Sequence, residues 1–306
     1  MDRIERVAVV GCGTVGASWA ALFLAHGLDV DAFDPSAGAE DRLRAFVDQA
    51  LRQLAELGTA GRGELRFSSD LAETVRAAHL VQENVPEDEG LKRRILAEIE
   101  ALSPQSAIVA SSTSALLRSS IVADCKDARR FIIAHPFNPP HLIPLVELLG
   151  EDEAVVGRAA GFYRSLGRRP VILRREMPGH IANRLSSALF REAVYLVEQG
   201  VATVADIDAA LCNGPGLRWA AMGPHMTYHL GGGAGGIEHY LSHLGPSQVR
   251  RWASLGNPTL TPEVQARIVQ GVHEEAGGRS VAELEERRDR ALLNILKARV
   301  EVAGES

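Results

Sequence analysis

The stretch Phe131-Ile132-Ile133-Ala134-His135-Pro136-Phe137-Asn138-Pro139-Pro140-His141-Leu142-Ile143-Pro144-Leu145-Val146-Glu147-Leu148-Leu149 holds the densest chemistry in the chain. Four apolar residues read as a strand that delivers His135 at its end, where parallel sheets place their active sites. Residues 145–149 read as a further buried strand with Glu147 in its middle. A buried carboxylate needs a partner or a proton, because a lone buried charge is very costly. His135 is the candidate partner, and the proline-rich turn can bring the two together. A His polarised by a carboxylate is a general base suited to a substrate hydroxyl. The bland alternative is a strand-end His bonded to backbone with Glu147 at an edge; a hydride acceptor placed upstream favours catalysis.

That acceptor has its own signature. Gly11-Cys12-Gly13-Thr14-Val15-Gly16 matches G-x-G-x-x-G, follows an apolar strand at residues 7–10 and opens a helix. The first glycine permits the tight turn, the second lets backbone approach a pyrophosphate, and the third lets helix pack on strand. Free N–H groups at the helix N-terminus suit the phosphates. A second strand ends at Asp34, 18 residues past Gly16, where a carboxylate would accept hydrogen bonds from the adenosine ribose. That carboxylate would repel a 2′-phosphate, and Pro35-Ser36-Ala37-Gly38-Ala39 offers no cation to receive one. NAD is favoured over NADP.

The elements that must hold these groups follow from periodicity. Residues 6–10, 29–33, 80–82, 107–110, 131–134, 145–149 and 170–173 read as strands. Residues 18–26, 39–57, 89–102 and 154–166 read as helices between some of them. This alternation predicts an α/β fold, a Rossmann-type doubly wound parallel sheet. Past Met177-Pro178-Gly179 the pattern is almost wholly helical, at residues 181–199, 204–211, 235–244, 262–276 and 281–300. The expected organisation is therefore 1–178 as a nucleotide-binding domain and 179–306 as an all-helical domain for substrate and dimerisation. Apolar helical surface within residues 181–197 hints at a homodimer.

Composition narrows the class. The chain has 306 residues, 46% hydrophobic and 24% charged, with a net charge of −6. With no basic block it has no electrostatic reason to hold nucleic acid or an anionic membrane. Cys12, Cys125 and Cys212 are odd in number and scattered, so a disulfide framework is not expected and a reducing cytoplasm is. No run approaches the ~20 apolar residues of a membrane span.

Other residues carry weaker signals. Ser111-Ser112-Thr113-Ser114 ends a strand and would cap a helix or bond a substrate oxygen. Asn183 sits at the start of the helical part. His225 with His229, and His239 with His243, have one-face spacing, yet lack the Glu of a metalloprotease helix, so no metal is expected. Gly231-Gly232-Gly233-Ala234-Gly235-Gly236 follows no clear strand and reads as a mobile loop.

Taken in order, Gly11–Gly16, Gln82-Glu83-Asn84-Val85-Pro86-Glu87-Asp88, Ser111–Ser114, His135-Pro136-Phe137-Asn138-Pro139, Pro144–Glu147 and Asn183-Arg184-Leu185 resemble the 3-hydroxyacyl-CoA dehydrogenase superfamily over nearly the full length. Within it the chain is most similar to the L-gulonate 3-dehydrogenase/lambda-crystallin and L-carnitine dehydrogenase group. The resemblance implies His135 as catalytic base paired with Glu147, Ser114 and Asn183 on the reacting oxygen, and Asn138 close by. It also implies NAD contacts from Asp34, Glu87 and Lys92 and from the backbone of Thr14 and Val15. The implied reaction takes an L-3-hydroxy group to a 3-oxo group, and the helical domain would form the dimer interface.

One departure concerns substrate. Gly214-Pro215-Gly216-Leu217-Arg218-Trp219-Ala220-Ala221-Met222-Gly223-Pro224 looks like the gulonate and carnitine enzymes rather than the acyl-CoA enzymes. Arg218 among apolar neighbours could clamp a free carboxylate. The leading expectation is NAD-dependent oxidation of a gulonate- or carnitine-like L-3-hydroxy acid. The alternatives are an L-3-hydroxyacyl-CoA dehydrogenase and a non-catalytic NAD-binding structural protein.

Overall fold

The computed structural model describes residues 4–303. These fall into two compact units: one runs to Arg184 and takes up the chain again from Arg287, the other spans Leu185–Glu286.

The first unit contains β1 (Arg6–Val10), α1 (Thr14–Ala25), β2 (Asp29–Phe33), α2 (Ala39–Glu56), β3 (Leu65–Ser68), α3 (Leu71–Val75), β4 (Leu80–Glu83) and α4 (Glu89–Leu102). It continues with β5 (Ile108–Ser111), α5 (Arg118–Ile121), β6 (Phe131–Pro136), β7 (Leu145–Leu149), α6 (Glu153–Ser165) and β8 (Arg169–Ile172). The strands form one sheet in the order β3-β2-β1-β4-β5-β6-β7-β8. Strands β4, β5 and β6 are buried along their whole length; each opens on apolar residues and carries buried polar ones toward its end, Gln82 and Glu83, Ser111, and His135. One face packs on α1, α2 and α6 through Trp19, Phe23, Leu43, Leu54 and Tyr163; the other packs on α3 and α4 through Val75, Leu96 and Ile99. Helix α1 is buried from Gly16 to Ala25, so it is apolar on every side.

Two strand expectations need amendment. Strand β3 is absent from the sequence reading because Leu65–Ser68 is a short, partly exposed edge strand with only two apolar residues. The sheet is also not parallel throughout: β6 and β7 are antiparallel. Residues 137–144 between them hold no helix, and a parallel return would need a crossover of a dozen residues or more.

That connecting loop is pinned from inside. His141 is 2% exposed; its Nδ1 lies 2.7 Å from Ser18 Oγ and its Nε2 2.7 Å from Gln53 Oε1. Burial pushes the imidazole down to about 4, with the Arg168 and Arg288 charges adding to this and Asp289 opposing it. The folded chain therefore holds His141 neutral where an unfolded chain, at 6.5, takes up a proton. Stability from this residue is full above that value and falls as pH drops toward 4. At about 1.4 kcal/mol per pH unit, the loss reaches on the order of 3 kcal/mol at the acid end. Urea unfolding of wild type and His141→Asn between pH 7 and 4 is expected to show this slope in the wild type and its absence in the variant. Parallel slopes would refute it.

The second unit holds most of α7 (Ala182–Glu198), then α8 (Val204–Asn213), α9 (Pro215–Trp219), α10 (Pro224–Gly231), α11 (Gly236–His239), α12 (Gly245–Ser254) and α13 (Pro262–Ala276). Helix α14 (Val281–Ala303) returns to the first unit. The glycine-rich stretch is not an open loop: it ends α10, forms a 3₁₀ turn at Gly233–Gly235 and starts α11. Gly232 and Gly235 are packed too closely against Gly236 and His239 to carry a Cβ. No helix among the described residues is long and apolar enough to cross a membrane.

Candidate active site

The antiparallel register sets His135 directly opposite Glu147. Residues opposed across two strands point to the same face, so the side chains meet: His135 Nδ1 lies 2.9 Å from Glu147 Oε2. The other carboxylate oxygen accepts the backbone N–H of Ile181 at 2.8 Å and of Ala182 at 3.1 Å. Burial alone would raise the Glu147 pKa, but the His135 bond and these two N–H groups outweigh it and hold the carboxyl below its usual range. An ionised Glu147 only accepts, so the neutral imidazole carries its proton on Nδ1 and keeps a lone pair on Nε2. His135 Nε2 makes no hydrogen bond among the described residues.

His135 shares a cavity of about 240 Å³ with Val15, Ser112, Phe137, Asn138 and Asn183. Val15 belongs to the glycine motif, so that motif and His135 border one space. Ser112 comes to the cavity wall, whereas Ser114 is not among the residues that line it. The Ser112 hydroxyl is already saturated: it accepts from Trp19 Nε1 at 3.2 Å and Gln82 Nε2 at 3.0 Å, and donates to Asn84 Oδ1 at 2.7 Å. Ser114 instead donates both its N–H, at 2.8 Å, and its O–H, at 3.3 Å, to Glu87 Oε1. Burial would raise the Glu87 pKa, but Thr113, Ala115, Lys92 and Ser114 together lower it. Lys92 is 1% exposed, with Nζ 2.8 Å from Glu83 Oε1 and 3.6 Å from Glu87 Oε2. It sits beneath Glu87 rather than at the surface.

The three motif glycines have three separate reasons. Gly11 adopts φ +89°, and a Cβ there would lie 2.7 Å from the Asn84 carbonyl oxygen. A Cβ on Gly16 would lie 1.9 Å from the Gly11 oxygen. A Cβ on Gly13 would meet nothing within 4 Å, so that side of the loop is open. Helix α1 starts there with no side-chain cap and no acidic residue in its first turn, leaving N–H donors for an anion. Asp34, at the end of β2, accepts from Cys12 N–H at 2.8 Å and Ser36 N–H at 2.9 Å; burial works against its ionisation, and these bonds more than offset it, lowering its pKa. An open glycine face, uncapped N–H groups and an ionised carboxylate fit the pyrophosphate and ribose of NAD. Burial, reinforced by Asp34, pushes the Cys12 thiol up to about 12, which removes it as a nucleophile.

Sequence reasoning missed some contributors. His180 is 3% exposed, packs its ring 5.0 Å from that of His135 and places Nε2 3.1 Å from the Thr113 carbonyl oxygen. Its φ of +50° after Pro178-Gly179 marks a tight turn, but no spacing rule connects it to residue 135. The buried trio Trp19, Gln82 and Tyr163 around Ser112 reads locally as core. Arg218 lies in the second unit, exposed on α9, with no ion pair among the described residues.

Comparison with known proteins bears on the whole chain. The profile of the 3-hydroxyacyl-CoA dehydrogenase NAD-binding domain matches residues 6–177, and that of the family's C-terminal domain matches residues 179–272. The chain belongs to the 3-hydroxyacyl-CoA dehydrogenase family. It is thus an NAD-dependent dehydrogenase, which sets aside the non-catalytic alternative. L-carnitine dehydrogenase of Bacillus cereus is 44% identical to this dehydrogenase over 302 residues, 97% of this chain and 93% of that protein. The L-carnitine dehydrogenase of Streptomyces griseus is 45% identical, over 97% of this chain and 90% of its own. Among solved structures, 5-formyl-3-hydroxy-2-methylpyridine 4-carboxylic acid 5-dehydrogenase, described as an NAD+-dependent dismutase, superposes with a TM-score of 0.81 at 31% identity, covering 96% of this chain and 97% of that one. The (S)-3-hydroxybutyryl-CoA dehydrogenase of Ralstonia eutropha gives 0.62 at 26% identity, covering 78% of this chain and 85% of its own.

Proposed function

We propose that this dehydrogenase oxidises the hydroxyl of a small L-3-hydroxy acid, L-carnitine first among them, to the 3-oxo acid. The observation that carries the reading is a cavity bordered by both Val15 of the nucleotide motif and His135. His135 Nε2 takes the hydroxyl proton, and Glu147 stabilises the imidazolium that forms. Asn138 and Asn183 present amides to the reacting oxygen, while Val15 and Phe137 exclude water from the apolar side. Ser114, which the motif match offered for that oxygen, stands outside the cavity lining and serves Glu87 through its N–H and O–H. NAD supplies the hydride acceptor, held by the α1 N-terminus with Thr14 and Val15, by Asp34, and by Glu87 above the buried Lys92. NAD binding falls to residues 1–178 and substrate binding and dimerisation to 179–306, while the compact units divide after Arg184 and return the chain from Arg287 to the first.

Identity of 44–45% to L-carnitine dehydrogenases over 97% of the chain supports the substrate choice. Initial rates of NAD reduction with L-carnitine, L-gulonate, L-3-hydroxybutyrate and L-3-hydroxybutyryl-CoA test the reading. The expected order places L-carnitine first, and His135→Ala is expected to lose about 10²–10⁴-fold in rate while staying folded. Preference for the thioester would return the chain to acyl-CoA chemistry; an undiminished His135→Ala rate would sink the site itself.

We further propose a homodimer, for which the second unit offers apolar surface, and, on the scattered odd-numbered cysteines, a reducing cytoplasm. That unit leaves Leu185, Phe190, Leu217, Met226, Leu230, Leu241 and Trp252 each more than half exposed. Apolar surface on that scale marks an interface. Light scattering coupled to size exclusion is expected to return twice the 32.9 kDa chain mass; a monomer at micromolar concentration would refute it.

A further inference from the structure

Asn138 reaches the cavity from a loop with few means of holding itself. Pro139, Pro140 and Pro144 have no N–H to give, and the loop's own backbone bonds run from Leu142 and Ile143 back to the Pro139 carbonyl. Two buried side chains tie it to the body of the unit. Arg168 donates to the carbonyls of Pro140 at 3.0 Å and of His141 and Ile143 at 3.3 Å. His141 does the rest.

The bonds of His141 have one consistent direction. Its backbone N–H donates to Ser18 Oγ at 2.9 Å, so the Ser18 proton is free to go to Nδ1. The ring proton is then on Nε2 and donates to Gln53 Oε1. That orientation turns the Gln53 amide nitrogen toward Asp289 Oδ2, 3.2 Å away, and Asp289 is held in turn by Arg288 at 2.9 Å. Every member is satisfied, and none can reverse without leaving a buried group unpaired. Phe46 closes the remaining side, edge-on to the imidazole at 5.8 Å.

We propose that the chain Ser18–His141–Gln53–Asp289 is the positioning device for the substrate loop, setting where Asn138 stands relative to His135. Ser18 lies four residues into α1, the helix whose N-terminus receives NAD, and Asp289 lies on α14, contributed by the far end of the chain. The loop is thereby referenced to the nucleotide helix and to the C-terminal helix at once. His141, Gln53 and Asp289 are positioning residues; they act on substrate through Asn138. This rests on the cavity being the reaction site.

Gln53→Glu sets a second carboxylate against Asp289. It is expected to raise KM for L-carnitine, or for the best substrate of the panel, about tenfold, since small misplacements of positioning groups are costly. The dissociation constant for NAD, read by fluorescence titration, and kcat are expected to stay within about threefold. Adding Asp289→Asn reverses the donor and acceptor at that contact, and the double variant is expected to recover the wild-type KM. Ser18→Ala, which removes only a hydroxyl, is expected to raise KM likewise and guards against misfolding of the Glu variant. An unchanged KM in both single variants, a double variant that does not recover, or a loss shared equally by kcat and NAD affinity would overturn the proposal. His135→Ala assayed alongside separates the two readings: a normal rate there condemns the site, while a lost rate with unmoved KM values condemns only the positioning chain.

Discussion

Glu147→Gln is expected to lower kcat about 10³-fold, within the 10²–10⁴ range of a general base, while NAD affinity is unchanged. The reason is the tautomer rather than the charge alone. Glu147 Oε1 accepts two backbone N–H groups, from Ile181 and Ala182. A Gln amide must turn its oxygen to those donors, because its NH₂ would confront two more N–H groups. Its nitrogen then faces His135 Nδ1, 2.9 Å from the present oxygen, and that ring atom must become an acceptor. The imidazole proton moves to Nε2, the atom that has to receive the substrate proton. About 4 kcal/mol of transition-state stabilisation is lost with little change in packing. Single-turnover rates with wild-type-like NAD titration and thermal unfolding check it. A rate within tenfold of wild type would show that Glu147 does not set the tautomer.

The glycine loop gives the second large effect, and two neighbouring substitutions separate its causes. Gly13→Ala adds a Cβ that meets no protein atom within 4 Å, so the apo protein is expected to unfold at its usual temperature. That open side is where a pyrophosphate would approach, and NAD affinity is expected to fall at least 100-fold. In Gly16→Ala the added carbon would lie 1.9 Å from the Gly11 carbonyl oxygen. Backbone cannot yield as a flexible side chain does, so α1 must shift from β1. Both affinity and thermal stability are then expected to drop, the latter by about 1–3 kcal/mol. Calorimetric titration with NAD and scanning calorimetry of the apo forms distinguish the two. Equal stability loss in both variants would contradict the assignment of Gly13 to the ligand side.

Many elements in both units were legible because they are locally coded. Residues 6–10, 29–33, 89–102, 145–149 and 262–276 coincide with observed elements to the residue. Residues 6–10 and 145–149 are mostly buried apolar runs, 29–33 alternates buried and half-buried positions, and 89–102 and 262–276 are amphipathic helices with a polar cap. Asp70, Asp88, Asp152, Thr203 and Thr261 cap helices through side-chain oxygens on backbone N–H groups, a signal written within four residues. The glycine motif with Asp34 is equally local, which is why cofactor class was readable before any geometry.

The rest depended on contacts between distant residues, which leave no period in the chain. The antiparallel turn of β7 came from a connection too short for a crossover, and it alone put Glu147 opposite His135. Ser112 rather than its neighbour Ser114 reached the cavity because the strand ends one residue earlier and the turn sends Ser114 to Glu87. Ser18, Gln53, His141 and Asp289 look unrelated in sequence, at separations of 35, 88 and 148 residues, yet share one hydrogen-bonded chain. By itself the sequence determined a Rossmann-type sheet and NAD and named His135 and Glu147 as candidate partners, since propensity, burial pattern and motif chemistry act over a few residues. Only the tertiary structure decided which hydroxyl meets the cavity, which His135 nitrogen faces Glu147 and which groups His141 bonds. Those depend on the packing of elements, where the cost of an unpaired buried group selects one arrangement from many.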